Sequence, residues 1–410
     1  MKKSKLVAGI SAAAILGLGA GFMTAPVGDA SAAPGALGDL PAPSSKKYTP
    51  VGSAKKSKGR SSVVVSKYPD EGDYASVAAA VRAVGSGGTV FVYPGAYRES
   101  VKIDKSVNLR GMRDVQLPDD RGARIIAPVN QPCLTFAPKD KESQASVTNV
   151  TFDASDILNA GAACVEVRQG VFSLEHSTVD GGGLKIADLI QVNNGIARIV
   201  NNTIRGGAKG ILVAGQPYPR AKTVLGENRI SGNTVGVDIN FRANEDRSIS
   251  DVIVTGNDIS NNLTYGIINR GAAGVKIVGN TVTRNGPIKT STRRSSRDKI
   301  DNTSKAAGIY LAAFSDNDML KLENNVISGN SRYGLFIDHK AGSSPYMMPR
   351  GVAMANNEIR CNGADVFEEE AHIAKVFNFQ QNRNYYNGSS FKKKYCVDGQ
   401  RSRRRVLGVF

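Results

Sequence analysis

The sequence predicts an all-β solenoid: a parallel β-helix whose N-terminal end is capped by one short helix. Three observations carry this. An asparagine returns at Asn202, Asn228, Asn257, Asn280, Asn325 and Asn357, each followed at the second residue by Ile or Val, with a degenerate seventh copy at Asn382. Short apolar runs opening with glycine recur between these copies: Gly210-Ile-Leu-Val213, Gly236-Val-Asp-Ile239, Gly266-Ile-Ile268, Gly308-Ile-Tyr-Leu311 and Gly334-Leu-Phe-Ile337. Their apolar residues alternate and many are β-branched, the pattern of strands with one face inward. Repeating units of this length cannot bury their apolar faces alone and must stack, and equivalent strands one unit apart are then parallel.

The elements follow in chain order. Residues 1–32 read as a secretory signal peptide: Lys2, Lys3 and Lys5, an apolar stretch, then Ala30-Ser31-Ala32 as the cleavage site. No later stretch is long and apolar enough for a membrane span. Residues 33–62 form a basic linker of Pro, Ala, Ser and Lys, and residues 63–390 are assigned to the solenoid. Asp73 precedes an Ala-rich amphipathic stretch and is the expected helix N-cap, with Ser86-Gly-Gly ending the helix. Strands are expected at Thr89–Tyr93, Val101–Ile103 and Val107–Arg110, and the regular units from about Arg124 onward. The 45-residue gap between Asn280 and Asn325 contains an insertion over 286–305, expected as a loop on one face. Residues 391–410 are a basic tail.

The formal net charge is +17, and +15 once Lys2, Lys3, Lys5 and Asp29 leave with the signal. That favours a polyanionic partner: an anionic polysaccharide, a cell-wall polyanion, or nucleic acid held non-specifically. The chain has no tryptophan, which argues against stacking on a neutral glycan. A monomer, secreted or held at the cell surface, is expected. Four cysteines in an exported chain predict two disulfides. Cys133 and Cys164 fill the same slot of consecutive units and should pair, leaving Cys361 with Cys396.

Gly88-Thr-Val-Phe-Val-Tyr-Pro-Gly-Ala-Tyr-Arg-Glu99, Val101-Lys-Ile103 and Asn108-Leu-Arg-Gly111 resemble the opening coils of right-handed parallel β-helix proteins of the pectate-lyase-like superfamily. The Gly-Ile-x-Val and Asn-x-Ile units are similar to that superfamily's generic repeats, so the resemblance spans about residues 70–390. It implies a single-stranded right-handed parallel β-helix whose substrates lie across the first sheet. The superfamily holds pectate and alginate lyases, polygalacturonases, pectin methylesterases, mannuronan epimerases and proteins that only bind. The Gly-His-Gly and paired-Asp pattern of polygalacturonases is absent, as are the pectin methylesterase motifs.

The asparagines are expected to stack into an amide ladder, with His176 in the neighbouring turn slot. With Val237/Ile239, Ile309/Leu311 and Leu335/Ile337 inward, Asp238, Asn240, Tyr310, Phe336 and Asp338 point outward. Arg242, Arg270, His339 and Lys340 lie at or just past strand ends. An acidic sugar needs a cation for its carboxylate and a base for its C5 proton. Tyr310, Tyr333, Asp338, His339, Lys340 and Arg270 are therefore the catalytic candidates, and Asp238, Asn240 and Arg242 the binding candidates. Tyr333-Gly-Leu-Phe-Ile-Asp-His339 resembles the Tyr-Gly-Phe-Asp-Pro-His segment of mannuronan epimerases and related lyases, without its Pro and with altered spacing. Arg293, Arg294 and Arg297 on the insertion would overhang the groove as a cationic clamp. Calcium could be held by Glu368-Glu-Glu370 with His372, or by Asp316-Asn-Asp318. The bland alternative for all of these side chains is a solvated charged face. Two functions result: an enzyme cleaving or epimerising a uronate polysaccharide, and a non-catalytic adhesin for envelope polyanions.

Overall fold

The computed structural model describes residues 59–68, 70–113, 122–215, 222–240, 251–270, 274–287, 306–312, 319–338 and 351–368. All belong to one compact unit, Pro43–Phe410. The leader, most of the linker, the 288–305 segment, Asn382 and the basic tail lie outside the described residues. Among the described residues are 31 strands and one helix.

The strands form three parallel sheets of 11, 10 and 10, each joining every third strand in sequence except where the first two strands of the chain pair directly. One coil thus contributes one strand to each sheet, and the next coil repeats the trio. This is the right-handed parallel β-helix expected. Its interior is a stack of Val, Ile and Leu, with Val237, Ile239, Ile309, Leu311, Leu335 and Ile337 all fully buried. Alternation along each strand puts those residues inside because side chains on a strand change faces at every residue.

The asparagine ladder is present and continuous. From Asn228 onward the amide oxygen of each asparagine accepts from the backbone N–H and side-chain amide of its counterpart one coil earlier: Asn257 on Asn280 at 3.0 and 2.9 Å, Asn280 on Asn325 at 2.9 and 3.0 Å. The turn residue just before each rung is left-handed: φ is 50° at His176, 58° at Asn201, 55° at Asn324 and 56° at Asn356. His176 is thus a turn residue.

A second ladder accompanies the first, through Asn233, Asn262, Asn285, Asn330 and Asn362. Each stands five residues after a rung of the first ladder. It also explains the glycine opening each outward-facing strand. A Cβ on Gly236 would lie 2.5 Å from the Gly266 carbonyl oxygen and 3.0 Å from the Asn262 amide nitrogen. Glycine is needed there for close approach.

At the N-terminal end the helix is Val77–Ala83, and its N-cap is Ser76 rather than Asp73. Asp73 instead accepts from Val64 N–H and pairs with Arg60, holding the first strand, Arg60–Val65. Glu99 receives the helix's first N–H groups, those of Val77 and Ala78, at 2.8 and 2.9 Å. A carboxylate there satisfies orphan donors and complements the helix dipole. The helix ends at Ala83, and Ser86-Gly-Gly lies inside the strand Val84–Val92 because that segment pairs with Arg60–Val65 and Val107–Gly111.

Cys133 and Cys164 are disulfide-bonded with Cα atoms 4.7 Å apart, one coil spacing as the register required. Cys361 is also disulfide-bonded, and its expected partner Cys396 lies outside the described residues. No helix among the described residues is long and apolar enough to cross a membrane.

Candidate functional site

Six neighbouring strands of one sheet build the site: Asp188–Asn193, Lys209–Ala214, Val235–Asn240, Tyr265–Arg270, Ala307–Ala312 and Tyr333–Asp338. Parallel pairing aligns their outward residues in columns. One column runs Leu212, Asp238, Ile268, Tyr310, Phe336. The next runs Arg270, Ala312, Asp338. Asp238 and Tyr310 therefore flank Ile268, while Arg270 and Asp338 flank Ala312. Adjacent columns and strands bring all four polar side chains around one small apolar floor, although they span about 100 residues of sequence.

The charges form a row along the solenoid. Lys209 Nζ lies 3.3 Å from Asp188 Oδ2 and 3.9 Å from Asp238 Oδ2. Arg270 Nε lies 3.4 Å from Asp238 Oδ1. Beyond it the Tyr310 hydroxyl donates to Asp338 Oδ2 at 2.5 Å. The five spacings of about 4.8 Å between six strands give the row a length of about 24 Å, enough for several sugar units laid along the axis.

Burial dominates the electrostatics. Asp188 is 2%, Asp238 1% and Asp338 0% exposed, whereas the Arg270 side chain is 46% exposed. The outward face expected to be solvated is in fact largely buried at Asp238 and Asp338. Burial pushes the Asp238 carboxyl above its ordinary range; Arg270 and Lys209 pull it back, and Asp188 raises it further. Asp188 is raised by burial and opposed by Lys209. Burial, followed by the hydrogen bond to Asp338 and that group's charge, raises the Tyr310 hydroxyl, so it remains a protonated donor at neutral pH.

Rings fix Tyr310 in place. Its centroid is 5.2 Å from Tyr265 and 5.4 Å from Phe336, the latter nearly parallel at 19°. Tyr333 meets Phe336 edge-on at 5.0 Å, and Arg332 lies over Tyr333 at 5.3 Å. Tyr333 thus joins the aromatic cluster at the start of the strand that Asp338 ends.

Comparison with known proteins agrees with this architecture. Residues 188–389 match the family described as "Right handed beta helix region". The fold is a right-handed parallel β-helix. No curated protein matches. Among solved structures, a double mutant of the periplasmic alginate epimerase AlgG is 13% identical, covering 73% of this chain and 70% of that one, with a TM-score of 0.40. The A-module of the mannuronan C-5 epimerase AlgE4 from Azotobacter vinelandii is 14% identical, covering 74% and 91%, with a TM-score of 0.39. The catalytic domain of a GH87 α-1,3-glucanase, in complex with tetrasaccharides, is 12% identical, covering 82% and 69%, with a TM-score of 0.38.

Of the residues singled out from the sequence, the structure brings together Asp238, Arg270, Tyr310 and Asp338. Asn240 is exposed at its strand end, one strand over from Arg270. His339, Lys340, Arg242, Arg293, Arg294 and Arg297 lie outside the described residues. So do Asp316-Asn-Asp318, Glu369, Glu370 and His372, and the side chain of Glu368. Among the described residues, no three His, Cys, Asp or Glu side chains are grouped to hold a metal ion. Two members of the row, Asp188 and Lys209, escaped the sequence reading. Asp188 shares parity with the inward Ile190 and Val192, so alternation hid it. A charge at such a position, answered by the opposite charge 21 residues on, was the available signal.

Proposed function

We propose that the protein is an exported carbohydrate-active enzyme whose substrate is a uronate-containing polysaccharide and whose reaction begins by removing the sugar's C5 proton. The observation that carries this reading is the arrangement around Ile268 and Ala312: a buried carboxylate, a guanidinium and a protonated phenol converging on one floor. Each has a part. Arg270 binds and neutralises the substrate carboxylate, which makes the C5 hydrogen acidic. Asp238 takes that proton; a carboxyl raised by burial is a stronger base than an ordinary one. Tyr310, held by Asp338, then donates its proton. Delivered to C5 from the other face it inverts the centre, and delivered to the departing glycosidic oxygen it completes β-elimination. In both cases Asp238 and Tyr310 exchange one proton each with the substrate, and solvent restores them.

What the similar structures are named for, alginate epimerisation and glucan hydrolysis, is compatible with a polysaccharide substrate. Secretion rests on the leader, and calcium would be held outside the row, since Lys209 already fills the gap between Asp188 and Asp238. His339 and Lys340, which directly follow Asp338, would add a further proton carrier and cation to the same site. Arg242 and the 286–305 arginines would extend the cationic rim.

The test uses the chain from residue 33 onward on alginate, polygalacturonate and glucuronan, with and without a chelator. Ultraviolet absorbance of unsaturated uronates reports elimination; deuterium uptake at C5 from heavy water reports epimerisation. Either signal should fall by about 100-fold or more in Asp238→Asn and Tyr310→Phe, the usual cost of a lost proton-transfer group. Silence on every polymer in both assays would sink the enzyme. One observation favours a second reading: the net charge of +17, which suits an envelope adhesin holding polyanions. Binding that falls steeply with salt and survives Asp238→Asn would favour it.

A further inference from the structure

Asp238 is a buried carboxylate with one oxygen paired but not bonded. Its Oδ1 is inaccessible to solvent and has no hydrogen-bond donor. Arg270 Nε is 3.4 Å from that oxygen without forming a hydrogen bond, and Lys209 Nζ at 3.9 Å from Oδ2 is spent on Asp188 instead. Buried polar atoms without partners are rare in native structures, and each one asks for a cause. Here the cause lies in Arg270. Its guanidinium is the exposed member of the pair, at the end of its strand, beside the methyl of Ala312 in the next strand. Among the described residues, its neighbour in that column on the far side from Asp238's strand is only the small Ala312.

We infer that Arg270 is a specificity-determining residue that covers Asp238 in the free protein and is drawn off it by the carboxylate of the substrate. The inference rests on the uronate reading above. An incoming carboxylate can accept two parallel N–H bonds from a guanidinium, which Asp238 at its present angle does not. Capture of Arg270 by the ligand uncovers Oδ1 and removes its nearest positive charge. The base is thus released by the group that identifies the substrate. A neutral sugar or a uronate methyl ester cannot compete for Arg270, so it meets a base still covered.

Two measurements separate this inference from the reading beneath it. The first needs no turnover: the Arg270 side-chain Nε–H resonance is followed by NMR while trimeric glucuronate, galacturonate and mannuronate, and then their methyl esters, are added. The resonance should move with at least one acid trimer and stay still with its ester. It should move the same way in Asp238→Asn. A resonance that ignores every acid, or answers acid and ester alike, overturns the inference. The second compares turnover of each acid polymer with its ester in the native protein and in Arg270→Gln. Loss of the guanidinium should lower kcat/KM on the acid polymer by about 100-fold, while the ester rate holds or rises, so that selectivity collapses. An equal fall on both would mean that Arg270 only supports the fold, and the inference would be wrong. If the resonance moves with an acid trimer and no polymer is turned over, the enzyme reading fails while carboxylate capture by Arg270 stands.

Discussion

Two clusters of buried polar groups, the asparagine ladders and the charged row, are treated in opposite ways. In the two asparagine ladders each oxygen past the first rung accepts twice, and the amide nitrogens also reach backbone carbonyls, as Asn280 Nδ2 does with Val254 at 2.8 Å. In the charged row, a carboxylate oxygen of Asp238 is left with no donor at all. The ladders are neutral and saturated, so burial costs them little and they hold consecutive coils in register. The row is charged and unsaturated, an arrangement that weakens a fold. A polar cluster kept buried, incomplete and in register with a protonated tyrosine is what a reacting site looks like.

The largest effect should come from breaking a ladder. Asn280→Ala removes the acceptor for the Asn257 backbone and side-chain N–H groups and the donor to the Val254 carbonyl. Several buried groups lose partners at about 1–3 kcal/mol each, so a loss of about 4 kcal/mol is expected in urea unfolding. A loss under 1 kcal/mol would remove the contrast, since the ladder would then be no better bonded than the row. Asp238→Asn should do the reverse. It keeps shape, removes a buried charge, and should leave stability unchanged or raise it while turnover falls by about 100-fold or more. A strongly destabilised Asp238→Asn would mean that the row is structural.

Tyr310→Phe sharpens the comparison at an intermediate size. The phenol is a hydrogen-bonded link of the row, donating to Asp338 and clamped between Tyr265 and Phe336. Its removal leaves a buried carboxylate one donor short, at about 1–3 kcal/mol in thermal or urea unfolding. Turnover should fall further than stability, and equal falls would make Tyr310 a packing residue.

The fold was legible because its signals repeat. Inward alternation at Val237/Ile239 and its counterparts, the Asn-x-Ile recurrence and the shared slot of Cys133 and Cys164 each restate one coil geometry many times. The second ladder was equally periodic, at a constant offset from the first, yet its asparagines fall in Ser-Gly-Asn-Thr and Arg-Cys-Asn-Gly turns where such residues need no special reason. The N-cap was misplaced because Glu99, a coil away, supplies what local sequence could not reveal. The site was legible only by half. Outward alternation found Asp238, Tyr310 and Asp338, and the strand end found Arg270. It gave no hint that the carboxylates are buried, because burial there depends on neighbours from other coils. Asp188 and Lys209 stayed hidden because their parity belongs to the core.

The last prediction concerns pH, and its sign follows from burial. The Asp238 carboxyl is raised in the folded protein above its ordinary 3.8, burial outweighing Arg270 and Lys209. Between the ordinary value and the raised one the folded state therefore binds more protons than the unfolded chain. Stability contributed by this group must then fall as pH rises through that window and level off above the folded value. Asp188 is raised too and acts in the same direction. Asp238→Asn cannot titrate, so the stability of the native protein relative to this variant should decline from about pH 4 upward and then stay constant. Urea midpoints of the two proteins at matched pH values would measure it. The effect is a slope rather than a loss of fold, and smaller than those above. A native protein that instead gains on the variant as pH rises would mean that the cations outweigh burial. Asp238 would then be an ordinary ion-pair carboxylate, and the row would fall on the same side of the comparison as the ladders.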